Sequence, residues 1–127
     1  MGTPDLKLGR IVRVRVPDSH GAGDYKKRPV VVLRAPTLAD QTFDWIGVST
    51  QPPSKLESPF TIALDYADSP TGHRYTKLQE PSFLYCRWVG IMAVIDIEDA
   101  ERDVRGTLHP VQIEVMLTIL ASIKPTC

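Results

Sequence analysis

The hydrophobic positions of this chain come in short runs, broken so often by Pro and Gly through the first two thirds that long helices have no room there. Arg10 to Val16 alternates, with Val12, Val14 and Val16 on one face and Ile11, Arg13 and Arg15 on the other. That pattern predicts a half-buried strand with a basic outer face. Val30 to Leu33 is continuously apolar and reads as a strand buried on both sides. Phe43 to Ser49 and Phe60 to Leu64 predict two more strands, the second with Phe60, Ile62 and Leu64 inward. Phe83 to Val89 and Ile91 to Ile97 resume the strand pattern, with a bend or bulge expected at Gly90 between them. Two polar stretches separate these runs. Pro17 to Lys27 is a loop longer than a tight hairpin needs, and Asp65 to Ser82 is a surface excursion turning at Ser69-Pro70-Thr71-Gly72.

Only the end of the chain carries a helical period. Pro110 suits a first helical position, and Ile113, Met116, Leu117, Leu120 and Ile123 recur at helical spacing before Pro125. Strands in succession followed by one amphipathic helix predict a mainly β (α+β) domain over residues 1–127. Its expected form is a small SH3-like barrel of five to seven strands, closed or capped by the C-terminal helix.

Length and composition narrow the class without naming a function. The 127 residues, 43% hydrophobic and 24% charged, suit one globular domain and disfavour two domains or disorder. No apolar run approaches the roughly 20 residues that span a bilayer, and Met1 to Arg10 lacks the apolar centre of a secretion signal, so a cytoplasmic protein off the membrane is expected. Cys86 and Cys127 are too few for a disulfide framework and belong to no CxxC or Cys/His cluster, so neither a metal nor another cofactor is expected. Cys86 reads as a small buried apolar residue, and His73 and His109 as surface and helix-entry residues. The formal charge is zero yet unevenly placed. Lys7 to Arg34 holds eight basic and two acidic residues, net +6, whereas Asp96 to Asp103 holds five acidic and one basic, net −4. One face can therefore attract a polyanion while the whole molecule stays neutral.

The segment KKRPVVVL, Lys26 to Leu33, resembles the Arg-Pro signature of the PemK/MazF family of toxin–antitoxin toxins. Gly9 at the first strand, IGVSTQ at Ile46 to Gln51, SPFTIAL at Ser58 to Leu64 and RGTLHP at Arg105 to Pro110 agree with the family in order and spacing. The resemblance covers nearly the whole chain. It implies an SH3-like barrel, a homodimer, and a metal-independent endoribonuclease acting on single-stranded RNA, restrained by a cognate antitoxin whose acidic disordered tail would lie across the basic face.

By the same resemblance the family's essential arginine falls on Arg28 and its essential hydroxyl on Thr50. The chemistry suits them. When a 2′-hydroxyl attacks the neighbouring phosphorus, the transition state gains charge that a fixed guanidinium meets bidentately. A threonine hydroxyl can hold a non-bridging oxygen beside it. Neither group is a base near neutrality, so a base must come from elsewhere, and His20 in the preceding loop titrates in the right range. Further RNA contacts are expected from Lys26, Lys27, Arg13 and Arg15 in the basic segment and from Ser49 and Gln51 around Thr50. The family's Glu-Gln pair before the Arg-Pro signature is missing, with Asp24 the only carboxylate in HGAGDYKK, and Arg87 and Trp88 stand where the family carries Asp and Gln. A cation attracts phosphate, and an exposed indole can stack on a base for about 1–3 kcal/mol. Alternation does not settle which way Trp88 points. Two other uses of such a barrel stay open at this point: an inactive module that binds RNA or protein, and a gyrase poison of the CcdB type acting through its terminal helix.

Overall fold

The computed structural model describes residues 6–17, 25–37, 39–94 and 106–123. Among the described residues, six strands form one antiparallel sheet: β1 (Arg10–Pro17), β2 (Tyr25–Arg34), β3 (Thr42–Ser49), β4 (Thr61–Leu64), β5 (Ser82–Ala93) and β6 (Gly106–Thr107). Their spatial order is β4-β5-β3-β2-β1-β6, and a C-terminal helix, α1 (Pro110–Ile123), follows. The sheet curls into a half-barrel, as expected for a small barrel with a terminal helix.

Both faces of the sheet are apolar because the central strands are apolar at successive positions. Val30 and Val32 join Val12, Val14, Val16, Phe43 and Trp45 in one cluster, while Val31 joins Ile11, Ile46, Val48, Leu84 and Met116 in the other. Ile11 is therefore buried, and the basic outer face expected of β1 narrows to Arg13 and Arg15. The second cluster is the one α1 covers, through Ile113, Met116, Ile119, Leu120 and Ile123. Leu117, expected in that stripe, is 42% exposed. It follows Met116 by a single residue, about 100° around the helix, which takes it off the buried stripe. The helix entry is tied down by the Leu108 N–H donating to the Gly9 carbonyl at 2.9 Å, and by the Val111 N–H donating to His109 Nδ1 at 3.1 Å. Gly9 sits at φ +88°, and a Cβ there would meet Ile113 Cδ1 at 2.5 Å, so both its backbone angle and the approach of the helix require glycine.

Strand boundaries differ from expectation in three places. Pro17 and Tyr25–Lys27 belong to strands, with Val16 opposite Lys26 and Arg15 opposite Lys27, so the expected loop shrinks to a span outside the described residues. Phe60 ends a short 3-10 turn, Ser58–Phe60, ahead of β4. The third difference concerns Gly90, which stays in the ladder opposite Trp45 within one continuous strand. The irregularity lies earlier. Ile46 pairs with Val89 and Gly47 with Tyr85, so Cys86, Arg87 and Trp88 all occupy a single step of β3. Ile95 to Ile97 and the acidic Asp96 to Asp103 lie outside the described residues. No helix of the described residues is long and apolar enough to cross a membrane.

Candidate active site

The Arg-Pro dipeptide has a visible structural consequence. Pro29 has no N–H, and the ladder between β2 and β3 begins only at Val30 opposite Gly47. Beyond that pair a cleft of about 300 Å³ opens, lined by Arg28 and Pro29 from β2 and by Val48, Ser49 and Thr50 from the end of β3. Arg13 of β1 adds a second guanidinium, and Glu80 and Ser82, leading into β5, complete the lining. Arg28 and Thr50, distant in sequence, thus meet in one polar cleft. Thr50 is exposed and Arg28 half-buried.

The half-buried guanidinium is held by an aromatic pair. Arg28 Cζ lies 5.6 Å from the centroid of the Trp88 ring, within cation–π range. Trp88 in turn meets Trp45 edge to face, with centroids 6.0 Å apart and planes at 88°. Each indole rests on a glycine: a Cβ at Gly47 would overlap Trp88, and one at Gly90 would overlap Trp45. The three-residue bulge turns Trp88 onto this face while Cys86 enters the opposite cluster. Trp88 accordingly lies behind Arg28, outside the residues that line the cleft.

Thr50 is positioned through its neighbours. Ser49 Oγ accepts the Gln51 N–H at 3.2 Å, closing a tight turn around Thr50. The Tyr85 hydroxyl, from β5, donates to the Gln51 carbonyl at 2.6 Å. Burial, and behind it the charge of Glu57, pushes the Tyr85 phenol above its ordinary value, so it keeps its donor proton through the neutral range.

The remaining candidates scatter. Arg13 and Ser49 line the cleft, whereas Arg15 and Gln51 are exposed outside its lining. Lys26 and Lys27 are described through their backbone in β2, beside Arg28. His20 and Asp24 lie outside the described residues. Arg87 projects elsewhere: it pairs with Glu57 at 3.5 Å, stacks over Phe60 at 5.2 Å, and borders an apolar groove with Leu33, Val89, Ile91, Leu120 and Ile123. With half of its side chain exposed, that ion pair contributes little. Glu80, Ser82 and Tyr85 are functional candidates that sequence reasoning passed over. Glu80 and Ser82 sat in a polar excursion with no periodic signal, and Tyr85 read only as one more strand residue.

No family model matches the sequence, and none of the curated proteins matches it. Solved structures do. An endoribonuclease from a mycobacterial species, in complex with its cognate antitoxin, superposes with a TM-score of 0.60 at 15% identity, over 94% of this chain and 97% of that one. A second mycobacterial endoribonuclease superposes at 0.58 with 13% identity, over 95% of this chain and 93% of the other. At such identities the likeness establishes a shared fold over nearly the full length of both chains.

Proposed function

We propose that this protein is an endoribonuclease toxin of the PemK/MazF type, cutting single-stranded RNA by 2′-hydroxyl attack without a metal ion and leaving a cyclic phosphate and a 5′-hydroxyl. The observation that carries the reading is the meeting of Arg28 and Thr50 in one polar cleft with Arg13. Their roles are complementary. Arg28 faces the charge that grows on the non-bridging oxygens, and its partner ring favours the cation while restricting its motion. Thr50 donates its hydroxyl to the same phosphate, and Arg13 draws the strand in. The shared fold with two endoribonucleases, one solved with its cognate antitoxin, supports both the activity and a partner antitoxin.

The test is RNA cleavage in EDTA by wild type, Arg28→Ala and Thr50→Ala. Arg28→Ala should lose at least ~10²-fold in rate, the scale of removing one charge-stabilising donor, and Thr50→Ala a comparable amount. Equal activity in all three, or strict need for a divalent ion, refutes the assignment. Salt-dependent RNA retention with no cyclic-phosphate ends on any sequence would instead mark a binding module. We further infer a cytoplasmic homodimer. Val89 and Ile91 are 52% and 69% exposed beside an apolar groove of about 660 Å³, the kind of surface a second copy covers. Sequence selectivity would then come from bases lying beyond the cleft.

A further inference from the structure

The chemistry proposed above leaves one proton without an acceptor. Attack by the 2′-hydroxyl must shed its proton, but guanidinium has no lone pair to accept it, and Ser and Thr hydroxyls are not bases near neutrality. Among the described residues lining the cleft, only Glu80 can accept a proton there. We propose that Glu80 is the general base, a catalytic role that rests on the reading of this cleft as an RNA-cleaving site.

Three observations lead to it. Glu80 borders the same cleft as Arg28 and Thr50, on the wall supplied by the segment entering β5. Its backbone is fixed there, since the Ser82 hydroxyl donates to the Glu80 carbonyl at 2.9 Å. Its carboxylate is exposed and makes no ion pair or hydrogen bond among the described residues, so it is not consumed by Arg13 or Arg28 across the cleft. A cleft built only to hold phosphate gains nothing from a carboxylate, which repels the ligand. A cleft that must remove a proton does. Neither described histidine lines the cleft: His73 Nδ1 accepts the Tyr75 N–H at 3.1 Å, and His109 Nδ1 accepts the Val111 N–H.

The step balances without a co-reactant other than water. The 2′-hydroxyl proton passes to the Glu80 carboxylate as the O2′–P bond forms and the P–O5′ bond breaks. The departing 5′-oxygen takes a proton from water, and the hydroxide left behind takes the proton back from Glu80. Among the described residues, the charged groups that share the cleft lining with Glu80 are Arg13 from β1 and Arg28 from β2, while the end of β3 and Thr50 after it present only Val48 and two hydroxyls.

Single-turnover cleavage of RNA, measured from about pH 5 to 9 with wild type, Glu80→Gln, Glu80→Ala and Glu80→Asp, decides the matter. The Gln and Ala variants should fall ~10²–10⁴-fold in rate constant and lose the acid limb of the pH profile, which reports an essential base. RNA affinity should hold or tighten, because a like charge is gone, and Asp should recover part of the rate. Melting temperatures should match wild type, as befits an exposed side chain. Rates within threefold of wild type, or an acid limb that survives in Glu80→Gln and disappears in His20→Gln, overturn the proposal. If Arg28→Ala is inactive while Glu80→Gln cleaves normally, only the base assignment fails; if Arg28→Ala also cleaves normally, the reading of the site fails with it.

Discussion

Gly47→Ala is a change of one methyl group that should propagate to the candidate active site. A Cβ at this position would overlap Cε3 and Cδ2 of the Trp88 indole and lie 2.6 Å from Cζ3. To regain a van der Waals separation of ~3.5 Å the rigid ring must retreat by roughly 1 Å or more. Overpacking on this scale costs about 1–3 kcal/mol. The ring also carries Arg28, and a misplacement of ~1 Å at a reacting geometry costs on the order of 10² in rate. Without the ring the sign reverses, because Ala in a strand is favoured over Gly by roughly 0.5–1 kcal/mol. Urea unfolding followed by circular dichroism on wild type, Gly47→Ala, Trp88→Ala and the double variant measures this coupling. Gly47→Ala should destabilise the wild type yet be neutral or stabilising in the Trp88→Ala background. Additive effects, or a Gly47→Ala protein as stable as wild type, would show that Trp88 does not rest on Gly47.

Two further outcomes follow from the surroundings of the site. Tyr85→Phe removes the donor to the Gln51 carbonyl, so it should cost about 1 kcal/mol in stability and slow RNA cleavage several-fold by loosening the turn that carries Thr50; unchanged kcat would remove Tyr85 from the positioning set. Burial pushes the Cys86 thiol from 9.0 up to about 11, which leaves about one thiolate per thousand at pH 8. In a Cys127→Ser background, native protein should therefore react with a disulfide reagent only as fast as it unfolds. The raised value keeps the proton in the folded state while the unfolded chain releases it, so this group's contribution to stability is present below pH 9 and fades as pH climbs toward 11.

Much of this protein follows from local sequence. The alternation of β1 and the apolar run of β2 specify strands wherever they are placed, since side-chain period and apolarity are local properties. The Arg-Pro dipeptide also acts locally in what it withholds, a backbone N–H, but which ladder feels the loss is a matter of pairing: β1 runs on past Pro29, opposite Arg13, whereas β3 pairs only from Val30. Thr50 was singled out by the resemblance of IGVSTQ to a family strand, because its own place before two prolines reads as a plain turn. Tertiary structure decided what those residues face. Which side of β5 Trp88 occupies depends on a bulge of Cys86, Arg87 and Trp88, and that bulge depends on the pairing of Ile46 and Gly47 in a strand some forty residues earlier. Because the glycine seats of two indoles must coincide across two strands, no periodicity along either strand encodes them. Glu80 shows the same divide: in sequence it is one charge in a polar excursion, and it shares a cleft with Arg28 and Thr50 only because β5 returns beside β3.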